Sequence, residues 1–441
     1  MSLADKSFSV LQRDLVLFIA NILTSVFLAR SLGPQALGLW VILNLIPSYA
    51  EAFGRIKVDV AAVYYLGSGR YQISEVVLIL NCVALVASFV IILPIITWID
   101  WFSFTLFKDS SVKVTDYIYI MLMQIPVGFL YMNYMYLHIS REDVKSINLM
   151  VLTRALFSSG LIIVLVFLLD DKILGVVIGS TVGGLGALVI GVVKFGWHKH
   201  ISTRFNLELL CKLVKYGFKL HLGTIVSHFN SYSSQAIVVA YCLTPQVAFF
   251  SLAQQLGQMI NKVTDAMGVF LFPRISKETT NFESAKLASK SFRVAIVMLL
   301  PISIVIAIVM KPMILLLYGE EYLPVLIPFY IIFPALVVTA ASSTLLMYFQ
   351  GIGRADVIAK LTIVPLITQV LLGISLVPLF GIVGAASTFA VALFVTACLQ
   401  IIVFLRLANT TMVDSLVIRR EDVNIVREFV LNKLKFKKLL R

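Results

Sequence analysis

The chain has 441 residues, of which 60% are apolar and 13% are charged, and its formal net charge is +13. Its mean hydropathy is +0.97. One soluble globule of this size cannot hide so much apolar surface, which excludes a water-soluble enzyme, a nucleic-acid-binding domain and a disordered chain. Lipid is therefore the main solvent, and at about 20 residues for each membrane span there is room for about a dozen spans.

Long apolar stretches with polar breaks between them predict twelve transmembrane helices. The first stretch is interpreted as an uncleaved span, because acidic residues precede it and no small-residue cleavage pattern follows it. The predicted spans cover residues 9–30, 35–56, 75–97, 116–138, 146–169, 173–194, 216–242, 246–272, 291–317, 323–349, 357–379 and 382–406.

The distribution of Lys and Arg predicts the orientation of these spans, since short cytoplasmic loops carry an excess of both. With the amino terminus in the cytoplasm, 29 of the 36 basic residues lie in inward segments and five lie in outward segments. Arg154 and Lys262 lie within spans. We expect both termini to be cytoplasmic, and we explain the basic charge by topology rather than by binding of nucleic acid.

A short internal repeat predicts two related halves. Residues 31–40 open the second span and residues 242–251 open the eighth, and Leu32, Pro34 and Gln35 recur at an offset of 211. Chance recurrence is the alternative, but the equivalent positions favour a duplicated six-span unit. Because six is even, the two halves would be related by a pseudo-two-fold axis along the membrane normal.

The expected fold is therefore an all-α polytopic membrane protein with three parts. A six-helix lobe with a cytoplasmic linker covers residues 1–212, a second six-helix lobe covers 213–413, and a basic amphipathic cytoplasmic tail covers 414–441. Basic and apolar residues interleave along the tail, which is typical of a segment that lies on anionic lipid. A solvated tail is the alternative.

Small residues recur every four positions along the sixth predicted span. Residues four apart share one face of a helix, and small side chains on that face let another helix approach closely. The span is therefore expected to pack tightly against a neighbour through Gly175, Gly179, Gly183, Ala187 and Gly191.

Polar side chains recur at helical spacing in the first, second, seventh and eighth predicted spans, and they predict a hydrated cavity between the lobes. The alternative is that charged pairs such as Glu51 with Arg55 only neutralise one another near the cytoplasmic surface. Arg154 has no acidic neighbour one turn away, so it either reaches a partner on another helix or serves an anionic ligand. The histidines would either titrate and couple transport to protons, or act as hydrogen-bonding groups of the cavity. The candidate cavity residues are Arg13, Asp14, Asn44, Ser48, Glu51, Arg55, Arg154, His221, His228, Asn230, Gln235, Gln254, Gln258, Asn261, Lys262 and Asp265.

Sequence motifs for enzymatic chemistry are missing from the chain. It contains no Gly-rich phosphate loop, no Ser/His/Asp constellation and no metal-ligand spacing, and its four cysteines are far apart. We therefore expect no catalytic residue, no cofactor and no metal. The longest outward loop, about residues 98–115, is too short for an extracytoplasmic active site, which argues against a membrane-embedded polysaccharide polymerase.

Four segments resemble the polysaccharide flippases that move lipid-linked O-antigen units. They are FLARSLGPQALGLWVIL (27–43), the stretch from VAFFSLAQQLGQMINKV to LFPRIS (247–276), LLYGEEYLPV (316–325) and VPLFGIVGAASTFA (377–390). Their order is similar to that in the superfamily that also includes multidrug and toxin extruders and lipid II flippases. Two places differ from the common pattern of the flippases. Ala248 to Phe250 replace a usual Gly-x-Tyr, and Ser233 to Gln235 stand where many members have an acidic residue in the seventh span.

The resemblance implies a flippase of the bacterial inner membrane. Such a protein would turn an undecaprenyl-pyrophosphate-linked oligosaccharide, such as an O-antigen unit of lipopolysaccharide, from the cytoplasmic to the periplasmic leaflet by alternating access. Cavity cations would hold the pyrophosphate, and here these would be Arg13, Arg30, Arg55, Arg154 or Lys262. Membrane lipids, a proton or sodium gradient and other polysaccharide-assembly membrane proteins are the further expected partners.

A multidrug-type exporter of the same superfamily is the alternative function, and the polymerase is a more distant one. An exporter of cationic drugs would need net acid in its cavity. Here each of the embedded acids Asp14, Glu51 and Asp265 has a basic neighbour, and Arg154 makes the sum positive. The sequence therefore favours an anionic substrate.

Overall fold

The polypeptide is α-helical, as its composition predicts. The computed structural model describes residues 3–107, 114–200, 202, 204–265, 267, 275, 280–424, 426 and 427. No β-strand occurs among these residues, which confirms the expected all-α class. Contacts divide the chain into two compact units, Met1–His228 with Leu243–Ala248 and Phe229–Cys242 with Phe249–Arg441. The lobe boundary predicted between residues 212 and 213 stays a prediction.

The first unit is built from helices α1 to α8 and the beginning of α9. A π-helical turn, Thr153–Phe157, joins α6 to α7. α1 changes direction at Gly33, whose φ of 74° is a conformation that glycine adopts without steric cost. The helices are α1 (Leu3–Gly54), α2 (Val58–Gly67), α3 (Ile73–Thr97), α4 (Ile99–Leu106), α5 (Thr115–Ser140), α6 (Val144–Leu152), α7 (Ser158–Leu168), α8 (Lys172–Phe195) and α9 (Leu207–Tyr241).

Helix α5 is the central helix of this unit, since it packs against α1, α2, α3 and α8. Tyr131 and Tyr134 of α5 lie in a buried cluster with Ile79 and Leu80 of α3. At the other end of α5, the Tyr117 hydroxyl donates to Asp171 Oδ2 at 2.5 Å. Asp171 also caps α8 by accepting from the Leu174 amide, so one carboxylate aligns the two helices.

The small-residue face predicted for the sixth span packs directly against α7, and this prediction is confirmed. Along α8, an added Cβ would lie 2.9 Å from Leu165 at Gly175, 2.8 Å from Ile162 at Gly179 and 2.4 Å from Ser158 at Gly183. Side chains at these positions would have to displace the backbone of α7. The glycines therefore set the distance between the two helices.

The second unit contains the rest of α9, α10 from Phe249 onward and the helices that follow. α12 packs along α13, and α11 packs against α12. α13 changes direction at Gly381, which has a φ of 53°. The helices that follow α9 are α10 (Thr244–Gln258), α11 (Asn281–Leu317), α12 (Leu326–Gly351), α13 (Ala355–Ala408) and α14 (Met412–Leu416).

Eight helical segments in the described part of the chain are long and apolar enough to cross a membrane. α1 and α13 each hold two predicted spans, separated by Gly33 and Gly381, so the eight segments carry ten of the twelve predictions. The other two predicted spans, 216–242 and 246–272, begin on α9 and α10, which are more polar. Residues 266 and 268–272 of the last one lie outside the described residues, as does the predicted tail beyond Arg427.

The close approach of α8 to α7 predicts that Gly183→Ala destabilises the protein. The new Cβ would overlap the Ser158 backbone of α7, and such overpacking costs about 1–3 kcal/mol. We expect a lower melting temperature of the purified protein in lipid nanodiscs. Gly160→Ala on α7 is the matched control, because its Cβ meets nothing within 4 Å. Equal melting temperatures for the two variants would contradict the packing argument.

Candidate functional site

A polar cavity in the first unit brings four of the predicted site residues together. Asn44, Ser48 and Glu51 lie on one face of α1, and Arg154 reaches the same space from the π-helical turn after α6. The cavity has a volume of about 100 Å³, which is enough for several water molecules. Its lining consists of Asn44, Pro47, Ser48, Glu51, Gln124, Ile125, Gly128, Phe129 and Arg154.

A second, smaller cavity of about 20 Å³ adjoins the first and shares Gln124, Gly128 and Arg154 with it. Gln124 Nε2 donates to Ser180 Oγ and to Thr181 Oγ1, both at 2.9 Å, so α5 and α8 are joined at this point. The smaller cavity has room for about one water molecule. Arg154 thus borders two polar spaces.

The guanidinium of Arg154 lies over the ring of Tyr131, 4.8 Å from the ring centroid. This cation–π contact orients the side chain without neutralising its charge. Among the described residues, no Asp or Glu lies within ion-pair distance of Arg154. Its backbone lies in the π-helical turn, an insertion into the helix that occurs frequently at functional sites. Arg154 is therefore a positive group that is available to a ligand.

Arg55, in contrast, is neutralised inside the protein. It is buried, it bonds Glu51 at 2.6 Å, and it forms a second ion pair with Asp59, which is only 1% exposed. Glu51 lies on α1 and Asp59 lies on α2, on either side of the short segment that joins the two helices. The triad therefore holds the end of α1 against the beginning of α2.

Arg13 is also engaged by its neighbours. It bonds Asp14 at 2.7 Å and donates to Asn148 Oδ1 at 3.1 Å, while Asn148 donates in turn to Ser9. These contacts join the start of α1 to α6. Arg30 is exposed and lies three residues before the break at Gly33.

The two predicted histidines of α9 lie against the last turns of α1. The buried ring of His221 hydrogen-bonds to the backbone of Phe53. The ring of His228 meets Tyr49 edge-on, with 5.5 Å between the ring centroids. Their contacts attach the first part of α9 to α1, and a role in proton coupling stays a prediction.

In the second unit, three of the predicted polar residues of α9 and α10 form hydrogen bonds between helices. Gln254 is 2% exposed, donates to Ser234 and accepts from Gln235, while Asn230 donates to the Thr362 carbonyl. Gln258 is exposed and Asn261 is half-buried. Lys262 and Asp265 form an exposed ion pair of 3.7 Å. The role of these residues in substrate binding stays a prediction.

Sequence reasoning did not select four polar residues that line the cavities, namely Gln124, Tyr131, Ser180 and Thr181. The signal for Gln124 was present, since it is one of two amides within a largely apolar predicted span. Ser180 and Thr181 lie among glycines, where small polar residues attract little notice. Tyr131 gave no signal, because its importance comes from the position of its ring beneath Arg154.

The sequence model of a family described as polysaccharide biosynthesis protein matches residues 27–327, which is about two thirds of the chain. No curated protein matches the chain by sequence. The family match includes all the residues that line the two cavities.

Several solved structures share the fold. The lipid II flippase MurJ in an inward closed conformation has a TM-score of 0.71 at 14% identity, over 97% of this chain and 99% of that one. An inward-facing multidrug resistance MATE transporter of the MOP superfamily has a TM-score of 0.68 at 15% identity, over 89% and 95%. The Vibrio cholerae MATE transporter VcmN in its bent form has a TM-score of 0.57 at 13% identity, over 92% and 98%. The fold that the sequence resemblance implies is confirmed.

The ion triad predicts that Arg55→Met destabilises the protein. The substitution leaves the buried Asp59 carboxylate without its cation, which costs about 3–5 kcal/mol. We expect a large fall in melting temperature and in the yield of folded protein. Glu51→Gln is the control, because it keeps the pair with Asp59 and changes only the more exposed partner. An Arg55→Met protein that melts like the parent would show that Arg55 has no such structural role.

Proposed function

The chain belongs to the polysaccharide biosynthesis protein family, and we propose that it flips a lipid-linked oligosaccharide across the bacterial inner membrane. The proposed substrate is an undecaprenyl-pyrophosphate-linked repeat unit of a surface polysaccharide such as O-antigen. The unit would move from the cytoplasmic to the periplasmic leaflet by alternating access of two six-helix lobes. Both the shared fold and the family match support transport as the activity.

The observation that carries the proposal is the environment of Arg154. A charge inside a membrane bundle is costly unless it is paired or hydrated, and this guanidinium faces a polar cavity without a carboxylate partner among the described residues. A planar guanidinium binds phosphate oxygens through two parallel hydrogen bonds. Arg154 is therefore the residue that we assign to the pyrophosphate.

The acids of the first unit support an anionic rather than a cationic substrate. Glu51 shares the cavity with Arg154, but its carboxylate is bonded to Arg55 at 2.6 Å, and Asp14 is bonded to Arg13. Arg55 is shared with Asp59, and Lys57 lies close enough to both acids to balance the second carboxylate. The charge left for a ligand is therefore that of Arg154, which is positive. An exporter of cationic drugs would require the opposite sign, so the multidrug alternative is disfavoured.

The neutral polar groups of the cavity suit the carbohydrate part of the substrate. Asn44, Ser48 and Gln124 offer amide and hydroxyl groups close to Arg154. A pyrophosphate-linked sugar is too hydrated to cross hydrocarbon unaided, so the protein has to supply such groups while the prenyl chain stays in the bilayer. A role of the other predicted polar residues in substrate binding belongs to the same proposal.

The excess of Lys and Arg in alternate loops supports cytoplasmic termini. Among the partners, the lipid-linked substrate and the surrounding lipids follow from the proposed activity. Coupling to a proton or sodium gradient and contact with other polysaccharide-assembly proteins belong to the same proposal.

The test is complementation of a deletion strain with variants at position 154. Loss of a charged hydrogen-bonding pair with phosphate costs about 1.5–3 kcal/mol, so Arg154→Ala should reduce transport roughly 10- to 100-fold. We expect loss of surface polysaccharide and accumulation of prenyl-linked oligosaccharide, at an unchanged protein level and melting temperature. Arg154→Lys keeps the charge without the planar fork and should retain part of the activity.

Lys145→Ala is the matched control, since Lys145 is an exposed cation of neighbouring α6 that does not line either cavity. Normal polysaccharide in Arg154→Ala cells would remove Arg154 from the mechanism. If deletion of the gene left the polysaccharide intact and lowered tolerance to cationic drugs, the multidrug alternative would replace the flippase.

A further inference from the structure

The segment that follows the last membrane helix, residues 410–424, buries a charged residue and exposes several apolar side chains. We call it the C-terminal segment. It begins two residues after α13 ends, contains the short α14, and packs against the first third of α11. Water disfavours a cluster of exposed apolar side chains, so this pattern indicates that the segment faces a partly apolar environment.

Polar contacts hold the inside of the C-terminal segment. Arg293 of α11 is 7% exposed and donates to Asp422 Oδ2 at 2.7 Å and to the carbonyl of Asp414 at 3.1 Å. Asp422 and Ser415 are each 1% exposed, and Asp422 also accepts from the Arg419 amide. A buried ion pair with these additional hydrogen bonds fixes the segment to one place on α11.

Apolar side chains cover the outside of the same segment. Five of them within twelve residues are between 40% and 67% exposed. They are Met412, Val413, Val417, Ile418 and Val423.

Basic residues outnumber acidic ones around these apolar side chains, where the exposed acids of the segment are Asp414 and Glu421. Arg420 and Arg427 are exposed, as are Lys286 and Lys290, which lie one turn apart on the part of α11 that receives the segment. The sequence after Arg427 adds five more basic residues. Apolar side chains interleaved with cations are complementary to the boundary between acyl chains and anionic headgroups.

The geometry of α11 and α13 places the segment at the right depth. α11 has 37 residues. Such a helix is about 55 Å long, whereas the hydrocarbon core is about 30 Å thick, so its ends project beyond the core. α13 crosses the membrane and ends immediately before the segment.

We propose that the C-terminal segment is a membrane-surface docking element, whose apolar side chains enter the headgroup region of the adjacent leaflet and whose cations bind anionic phospholipid. The Arg293–Asp422 ion pair holds the segment in a fixed position on α11. Docking of this kind is independent of the substrate that the protein carries. A second copy of the chain would be a poorer occupant, because the surrounding positive charges would repel their equivalents.

The experiment measures the depth of a nitroxide label at Val417→Cys, in full-length protein whose four native cysteines are replaced by serine. The protein is placed in nanodiscs of phosphatidylcholine alone or mixed with phosphatidylglycerol. Collisions with oxygen, which partitions into lipid, are compared with collisions with a water-soluble nickel complex. We expect the label to favour oxygen, and to do so more strongly with phosphatidylglycerol present. A label at Ser68→Cys, in the exposed loop between α2 and α3, should favour nickel.

Two variants separate the contribution of the cations from that of the Arg293–Asp422 ion pair. Arg420→Gln with Arg427→Gln removes two cations near an anionic surface and should weaken docking roughly 30-fold, so that the response of the label to phosphatidylglycerol falls. Asp422→Asn should release the segment and sharpen the spectrum at position 417 while leaving that at position 68 unchanged. Free access of nickel to position 417 in both nanodiscs would overturn the proposal. So would shielding from both reagents, because that result indicates contact with protein.

Discussion

A charge that lies inside a lipid-embedded helix bundle has to be either neutralised or hydrated, and this constraint explains most of the polar architecture of the protein. Arg55 is neutralised by two carboxylates, and Arg13 by one carboxylate together with an amide. Arg154 instead borders two polar cavities and rests on an aromatic ring. Arg55 and Arg13 thus have a structural role, whereas Arg154 of the same unit is available to a ligand.

In the first unit, one helix, α8, takes part both in close helix packing and in the lining of a cavity. Glycines bring α8 so near to α7 that backbone meets backbone. On another face of α8, Ser180 and Thr181 accept hydrogen bonds from Gln124 of α5 and form one wall of the smaller cavity. One helix therefore supplies tight packing on one side and polar lining on the other. The second unit uses amides differently, since Gln254 and Gln369 bond to serines of α9 and are buried.

The same constraint acts at the membrane surface. In the C-terminal segment, the buried groups are Arg293, Asp422 and Ser415, and the exposed ones include several aliphatic side chains. Hydrogen bonds satisfy the charged groups within the protein, so the aliphatic side chains are free to meet lipid. A soluble protein with this pattern would lose stability, whereas a protein at a headgroup layer gains from it.

Much of the fold could be predicted from the sequence, because lipid requires long apolar helices and each helix is a local feature of about 20 residues. The same holds for the glycine face of α8, which a four-residue spacing reveals without any knowledge of its neighbour. The polar face of α1 was also evident, and Asn44, Ser48 and Glu51 do border one cavity with Arg154. Helical periodicity was sufficient for each of these features.

Tertiary structure decided whether Arg154 is available. The partners of Arg55, Glu51 and Asp59, are each four residues from it along the chain, whereas Arg154 has no acid at that spacing and could be paired only by another helix. Tyr131 and Gln124 acquired their importance from helices distant in sequence, which periodicity cannot place. The sequence determined where charge enters the membrane, because that depends on residues close together along the chain. Whether Arg154 is paired or open depends on contacts between helices, and only folding establishes those.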